Sequence, residues 1–380
     1  MITRFEISNF KRLQTAELQL GNAAVFIGPN NSGKTTALQA LALWDIGWRR
    51  WAEKRDNSTA SERKGVTINR RDLYSIPVPS ARLLWNDLHT RDTARVEGKQ
   101  STDNVYITLT AEGIHDDKPW SCALEFYYAN EESFYCRLKD GPDGRVPEGV
   151  RRHNVVFLPP MSGLSEREHR KEAGEIAVLI GEGQTAQVLR NLCWQLFSRE
   201  DKSAWKQLVG HIKRLFHICL LEPQYIKERS ELSLGYKESS GVELDLSSSG
   251  RGCQQVLLLL SYMLANPGAV LLLDEPDAHL EILRQRDVYN LITEIAAMIW
   301  EPCSLRRVTR RSFCRKLRSV MSSSHLSVAL IASIPAHEHR SERLSKASTW
   351  PITTWPSRKA GCCIWKDPPI SPYCAASPSA

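Results

Sequence analysis

A run of residues near the amino terminus has the types and spacing needed to hold phosphate groups. It follows the pattern G-x-x-x-x-G-K-T and reads GPNNSGKTT. Glycines let successive backbone N–H groups curve around an anion, and the amino terminus of a following helix adds positive partial charge. We predict that Lys34 reaches the β- and γ-phosphates of a nucleotide and that the Thr35 hydroxyl binds Mg²⁺. The predicted nucleotide-binding residues are Gly28, Pro29, Asn30, Asn31, Ser32, Gly33, Lys34, Thr35 and Thr36.

Two adjacent carboxylates later in the chain are candidates for binding Mg²⁺ and positioning a water. Residues 270–273 form an apolar run of strand length that ends in Asp274, Glu275 and Pro276. A parallel strand that is buried on both faces has this composition, and its carboxyl end opens onto a ligand site. We predict that Asp274 completes the Mg²⁺ shell and that Glu275 is catalytic, because it can position the attacking water. The alternative is a core strand that ends in two acids by chance, and the phosphate loop disfavours it.

A serine- and glycine-rich turn precedes an apolar helix between these two motifs. It reads SSSGRGCQQ, and the apolar run from Val256 to Leu264 follows it. A Ser-Gly turn at a helix amino terminus can bind an anion. Taken alone, the same pattern is a weak signal, because Ser/Gly clusters are usually linkers or helix caps.

The elements that position these motifs predict an α/β fold. In residues 2–20 the apolar residues recur mostly at every second position, which predicts a β-hairpin. Residues 23–27 predict a strand that leads into the phosphate loop. Residues 104–145 alternate as antiparallel strands, and residues 155–158 return to the core sheet. Residues 165–220 are charged and helical in period.

A segment rich in tryptophan and arginine follows the phosphate loop. Trp44, Trp48 and Trp51 flank Arg49 and Arg50. Contact with nucleic acid is one interpretation of this composition. We favour a helix that packs its tryptophans against the body of the protein.

The motifs together resemble those of ABC-type ATPase heads of the SMC and recombination-repair class. The similarity is closest to AAA-type ATP-binding proteins of the overcoming-lysogenization-defect (OLD) family. It rests on Phe10 and Lys11 after a short strand, on GPNNSGKT, on SSSGRGCQQ and on LLLDEPDAHLE. The resemblance covers residues 1–297 and implies a P-loop NTPase fold of the ABC-ATPase head type. Residues 104–145 would form its antiparallel β layer and residues 165–220 its helical subdomain.

The resemblance also implies an activity and partners. It implies an ATPase with ATP and Mg²⁺ as cofactors, and a homodimer of heads with ATP sandwiched between them. Dimerisation would be coupled to action on DNA, which makes DNA a candidate partner. Asp277 and His279 would belong to the loop that crosses the dimer interface. The signature residues facing the partner's ATP would be Ser248, Ser249, Gly250 and Gln254.

The sequence departs from the family pattern at two places. The family has a γ-phosphate-sensing glutamine just after the strand at residues 155–158, whereas the first glutamine after that strand in this chain is Gln184. The family also has a core strand after Asp274 that ends in a histidine, and His325 lacks a preceding apolar run. We therefore expect impaired hydrolysis, with a nucleotide-gated DNA-binding or structural component as the alternative. A small-molecule kinase is disfavoured by the Ser-Gly signature.

The net charge of the 380-residue chain is +7, and its distribution is uneven. Residues 299–380 hold 13 Lys or Arg against 4 Asp or Glu, or +9, which leaves 37 against 39, or −2, for residues 1–298. The amino terminus lacks the apolar stretch of a signal peptide, and the longest apolar run falls short of the roughly 20 residues of a membrane span. These features predict a cytoplasmic protein with reduced thiols.

The basic tail at residues 298–380 has no sustained apolar period and predicts a segment of low order. One interpretation is a basic arm that contacts DNA phosphates, and another is an unrecognised small domain. We favour a third, translation out of frame from near Met298. Trp365 and Lys366 have codons that force a glutamate in the frame starting at the last base of each codon. That frame permits an apolar strand ending in Glu-Gly, which resembles the start of the TOPRIM nuclease domain of OLD-type proteins.

Overall fold

A computed structural model describes most of the first 297 residues and three short segments beyond them. The described residues are 1–21, 23–55, 65–96, 99–139, 145–297, 327–333, 351–355 and 362–366.

The strands and helices of the described residues are as follows. The strands are β1 (Ile2–Phe10), β2 (Leu13–Gln19), β3 (Ala23–Gly28), β4 (Val66–Asn69), β5 (Arg91–Val96), β6 (Lys99–Asn104), β7 (Ile107–His115), β8 (Lys118–Asn130), β9 (Ser133–Leu138), β10 (Asn154–Leu158), β11 (Cys219–Leu220), β12 (Gln224–Ile226), β13 (Glu231–Ser233), β14 (Gly235–Lys237), β15 (Glu243–Asp245), β16 (Ala269–Asp274), β17 (Ser327–Ser333), β18 (Pro351–Trp355) and β19 (Cys362–Lys366). The helices are α1 (Lys34–Arg55), α2 (Glu148–Arg151), α3 (Ala173–Gly181), α4 (Leu189–Phe197), α5 (Ser203–Phe216), α6 (Arg251–Ala265) and α7 (Ile282–Ala297).

The core sheet has the strand order β10-β16-β17-β3-β19-β18. β10 and β16 are parallel, and β17 is antiparallel to both β16 and β3. β10, β16 and β3 therefore run in the same direction, and their carboxyl ends meet at one edge of the sheet. That edge carries the two ends that the sequence marks for chemistry, Gly28 of β3 and Asp274 of β16.

The composition of β16 explains its central place. Every residue from Ala269 to Asp274 is buried, as a strand covered on both faces requires. The apolar helix α6 immediately precedes it and is also largely buried. The prediction of a mixed α/β fold with an antiparallel sheet and helices is confirmed.

A second sheet is antiparallel and lies on the other side of α1. Its strand order is β2-β1-β7-β8-β9-β4. This layer is wider than the predicted span of 104–145, because the opening hairpin and β4 also belong to it. β1 and β2 alternate between buried and accessible positions, which is the pattern of a sheet with one face against the core.

Helix α1 joins the phosphate loop to both sheets. Its Trp44, Trp48 and Trp51 side chains are buried, so the interpretation that these tryptophans pack on the body is confirmed. Trp44 stacks on Trp120 with ring centroids 6.3 Å apart. Full burial of a large apolar side chain contributes about 1.5–3 kcal/mol to folding, so this face of α1 holds the helix firmly against the antiparallel layer.

The predicted helical region contains α3, α4 and α5, which pack with α6 around a second apolar cluster. The three strands beyond α7 belong to the core sheet, and β17 lies between β16 and β3. The predicted frame change near Met298 and the unassigned His325 lie outside the described residues. The division of the chain at residues 297 and 298 stays a prediction.

Candidate functional site

The phosphate loop connects β3 directly to α1. Gly33 has φ +102°, a conformation that only glycine adopts without strain. A Cβ atom there would also lie 3.1 Å from Leu13 Cδ2 in the opening hairpin. Asn31 has φ 66°, which asparagine tolerates better than most residues. The loop therefore needs these residue types to turn tightly before the first turn of the helix.

The Lys34 ammonium lies across the loop at the start of α1. It donates hydrogen bonds to the Gly28 carbonyl (2.9 Å), the Pro29 carbonyl (2.8 Å) and Ser32 Oγ (3.3 Å). Lys34 is 8% exposed. A buried cation held in the concave face of a loop of backbone N–H groups favours an anionic ligand there.

Thr35 and Asp274 meet although 239 residues separate them in the chain. Thr35 Oγ1 donates to Asp274 Oδ2 over 2.8 Å. Burial, with a smaller contribution from the Glu275 charge, raises the pKa of Asp274 to about 6, although the Thr35 hydrogen bond and the Lys34 charge oppose the shift. Oδ1 of this carboxylate is buried and has no hydrogen-bond partner in the described part of the chain.

Glu275 follows at a strained turn. Its φ is 47°, in the left-handed region where a non-glycine residue is costly and which recurs at functional sites. Its side chain is partly accessible, in contrast to Asp274. The turn directs Glu275 away from the line of β16 at the edge where the phosphate loop begins.

Asp277 lies two residues further on and is held differently. Burial raises its pKa to about 6, and its interaction with Tyr289 of α7 opposes the shift. His279 is exposed and has φ 64°. The two residues predicted for a dimer loop therefore differ: Asp277 is mostly buried and interacts with Tyr289 of α7, whereas His279 is exposed.

The Ser-Gly turn is fixed mainly by bonds within itself. Ser249 Oγ donates to the Leu246 carbonyl over 2.7 Å, and Gln254 Nε2 donates to the Ser249 carbonyl over 3.0 Å. Gly250 is the amino-terminal cap of α6, and Ser248 is exposed. These residues therefore present an accessible turn at the start of a helix, with Gln254 buried beneath it.

The start of α6 packs against the predicted dimer loop of the same chain. A Cβ atom at Gly252 would lie 3.1 Å from Leu280 Cδ2 and 3.2 Å from the His279 carbonyl. The Ser-Gly turn and the loop around His279 are thus neighbours. Among the described residues, the hydrogen bonds of the turn do not reach the phosphate loop.

The structure places two basic residues of the opening hairpin beside the loop. Lys11 Nζ donates to Gln39 Oε1 over 2.7 Å, and the Arg12 guanidinium hydrogen-bonds Asn31. Burial lowers the pKa of Lys11 to about 8. The polar pair Lys11-Arg12 marks the hairpin turn in the sequence, but its place against the phosphate loop depends on how the two sheets pack.

The glutamine expected after β10 is absent from that position. Gln184 is exposed, donates to Glu182 and accepts from Gln187. The chain nevertheless returns to the end of β10 at this point, because Thr185 Oγ1 accepts a hydrogen bond from Ser162 N over 2.9 Å.

The donor set fits Mg²⁺ bound together with a phosphate. Mg²⁺ is usually held by one or two carboxylates, a few waters and substrate phosphates rather than by a cage of protein ligands. Thr35 Oγ1 and the two oxygens of Asp274 supply such a set, and the unpartnered Oδ1 has the chemistry of a metal ligand. The described residues include no group of three or more His, Cys, Asp or Glu side chains placed to hold a metal ion.

Comparison with known proteins agrees with a nucleotide-binding amino terminus. Residues 1–45 match the AAA ATPase domain family. This match spans β1 to the first half of α1 and supports ATP binding by the phosphate loop. None of the curated proteins matches the chain.

Solved structures similar to this chain include two SMC heads. One is the Smc head domain of Pyrococcus furiosus, with an extended coiled coil and bound to the C-terminal domain of ScpA: the TM-score is 0.37, the identity is 13%, and 78% of this chain and 87% of that chain are covered. The other is the SMC head domain from Thermotoga maritima, with a TM-score of 0.36, 14% identity and coverage of 78% and 86%. None of the helices among the described residues is long and apolar enough to cross a membrane.

Proposed function

We propose that this chain binds MgATP in the loop from Gly28 to Thr36 and hydrolyses it. The observation that carries the proposal is the contact between Thr35 Oγ1 and Asp274 Oδ2, at 2.8 Å. It joins the helix that follows the phosphate loop to the carboxylate at the end of β16, across 239 residues of sequence. Bound Mg²⁺ would neutralise charge on the β- and γ-phosphates.

Different residues of the chain have different roles in the proposed hydrolysis. The loop N–H groups and Lys34 bind and orient the phosphates, since phosphoryl transfer depends mainly on positioning and electrostatic stabilisation. Asp274 and Thr35 would hold the Mg²⁺ that accompanies the nucleotide. Glu275, placed by its left-handed turn at the same edge, accepts a hydrogen bond from the attacking water and orients it toward the γ-phosphate.

We further propose that two heads form a homodimer with ATP between them, and that dimerisation is coupled to action on DNA. Support comes from the accessible Ser-Gly turn, which contains Ser248, Ser249 and Gly250, and from the neighbouring loop around His279. Both would lie at the dimer interface. The motif resemblance to OLD-type proteins motivates the DNA part of this proposal.

The test is ATP turnover by the full chain with Glu275→Gln, with and without DNA. We expect turnover to fall by roughly 100-fold or more, because a positioned acid–base group contributes about 10²–10⁴-fold, while ATP binding is retained. Glu200→Gln, the same change at an exposed acid, is the matched control. Unchanged turnover in Glu275→Gln would contradict the catalytic assignment.

A second candidate function is a nucleotide-gated binding protein with little or no hydrolysis. The observation that favours it is that β17, β18 and β19, the described segments beyond α7, contain no histidine to contact the γ-phosphate. In this case the wild-type chain would bind MgATP and dimerise, but its turnover would equal that of Lys34→Ala. Sedimentation of wild type and Glu275→Gln with and without MgATP distinguishes the two candidates.

A further inference from the structure

A buried polar cluster in the helical region lies outside the proposed catalytic residues. Arg190 and Asn191 of α4 are 2% and 1% exposed, and Glu168 is 1% exposed. Asp245, at the end of β15, forms the solvent-facing end of the cluster. The cluster bridges two segments that are far apart in sequence, the loop after β10 and the turn before α6.

Glu168 binds the amino-terminal end of α4. Its carboxylate accepts hydrogen bonds from Arg190 N (2.9 Å), Asn191 N (2.6 Å) and Asn191 Nδ2 (2.7 Å). Burial raises the pKa of Glu168, and these N–H groups oppose the shift. The loop containing Glu168 is therefore fixed to α4.

Arg190 reaches from α4 to both segments. Its Nη1 donates to the Ser165 carbonyl over 2.9 Å and lies 4.0 Å from Glu168 Oε2, while Nη2 donates to Asp245 Oδ1 over 3.2 Å. Asp245 Oδ1 also accepts from Ser247 N over 2.8 Å and thereby caps the turn Leu246–Ser248. One guanidinium thus connects the loop after β10 with the residue that begins the Ser-Gly turn.

The other end of this connection leads back to the core sheet, next to the strand that carries Asp274. Ser165 N donates to the Ala186 carbonyl over 3.0 Å, and Ser162 N bonds Thr185 Oγ1. The loop containing both serines leaves β10, whose Leu158 is in register with Leu273 of β16. The backbone that follows β10 and the hydrogen bonds of Arg190 therefore connect the neighbour of β16 with the Ser-Gly turn.

Burying an arginine for stability alone is inefficient, because desolvation offsets much of the attraction between the charges. What a buried, multiply bonded guanidinium does provide is fixed geometry. We propose that Arg190 is a positioning residue that locks the Ser-Gly turn to the loop after β10, so that both segments move together. This inference rests on the proposed function, since it gives the Ser-Gly turn a role in the ATP-bound dimer.

Asp245→Ser breaks the connection with little effect on the local turn. Serine caps a helical turn about as well as aspartate, but its side chain is too short to reach Arg190. Asp201→Ser is the matched control, because Asp201 Oδ1 caps Ser203 N over the same 2.8 Å outside the cluster. Arg190→Lys is a second variant, which keeps the positive charge but lacks the planar guanidinium that donates to several partners.

Amide hydrogen exchange of the full chain tests the connection directly. In Asp245→Ser we expect exchange to rise by about fivefold or more at Ser249 and also at Ser165, since both segments lose a shared restraint. Arg190→Lys should act in the same direction, and Asp201→Ser should leave both segments unchanged. A rise confined to the turn would overturn the inference, because Arg190 would then not couple it to the loop.

ATP turnover gives the second readout. If the wild-type chain hydrolyses ATP, Asp245→Ser should lower kcat by about tenfold, the effect of losing roughly 1.4 kcal/mol of transition-state stabilisation, with KM changed by less than about twofold. Equal kcat values for Asp245→Ser and Asp201→Ser would overturn the inference. Absent turnover in wild type would instead contradict the proposed hydrolysis, and hydrogen exchange would still decide the role of Arg190.

Discussion

Single carboxylates in this protein acquire different properties from their surroundings. Asp274 and Asp277 are both buried enough for the pKa to rise to about 6. Among the described residues, Asp274 has only the Thr35 hydroxyl as a hydrogen-bond donor and keeps one oxygen without a partner, whereas Asp277 interacts with Tyr289. The first arrangement suits a carboxylate that binds a cation, and the second suits a carboxylate with a structural role in its loop.

His153 provides a pH-dependent test at a single residue. Burial, together with a smaller effect of the nearby amino-terminal charge, lowers its pKa to about 4. Because the unfolded chain takes up a proton near pH 6.5 and the folded chain does not, the stability from neutral His153 is lost as pH falls from about 6.5 to 4. Its Nδ1 lies 2.7 Å from the Gly149 carbonyl, and its ring contacts Trp120.

We expect the free energy of unfolding of wild type to fall by about 2 kcal/mol more than that of His153→Phe between pH 7 and pH 5. Urea unfolding of both proteins at several pH values measures the difference. Phenylalanine keeps an aromatic ring beside Trp120, and the comparison cancels the titration of other groups. Parallel pH profiles for the two proteins would show that His153 ionises equally in the folded and unfolded chains.

The packing of α1 on the antiparallel layer can be tested with matched glycines. A Cβ atom at Gly47 would lie 2.8 Å from Phe126 Cζ and 2.9 Å from Leu124 Cδ1. Gly47→Ala should therefore destabilise the fold by about 1–3 kcal/mol through overpacking. Gly210→Ala in α5 meets no atom within 4 Å and should stabilise by about 0.5–1 kcal/mol. Urea unfolding midpoints that shift in the same direction for both variants would contradict this account of α1.

Elements with a local signal could be predicted from the sequence. The strand and helix around the phosphate loop, the buried strand before Asp274 and the opening hairpin all have characteristic apolar periods. The contact between Arg190 and Asp245 spans 55 residues and has no sequence signature, because it depends on how α4 meets the turn before α6. The same reason explains why the position of Lys11 and Arg12 against the loop emerged only from the packing of the two sheets.

At the scale of the whole molecule, charge and topology divide the chain in different places. The charge changes near residue 298, from −2 before it to +9 after it, whereas the core sheet includes β17, β18 and β19 from the basic part. The antiparallel β17 separates β16 from β3, although the sequence predicts a segment of low order there. The out-of-frame interpretation stays a prediction, and the nucleotide sequence of codons 290–380 tests it.

Whether β17 belongs to the stable sheet can be decided on the protein itself. Leu330 is in register with Leu273 of β16 on one side and with Val25 of β3 on the other. Proline at a central strand position removes a ladder hydrogen bond, so Leu330→Pro should lower the free energy of unfolding by about 1–3 kcal/mol, the cost of leaving a buried backbone group without its partner. Thr353→Pro in the edge strand β18 is the control and should cost less, since edge strands tolerate proline better. If thermal or urea unfolding shows that Leu330→Pro is no less stable than Thr353→Pro, β17 does not hold the phosphate-loop strand and the Asp274 strand together, and those strands must be stabilised by the first 297 residues alone.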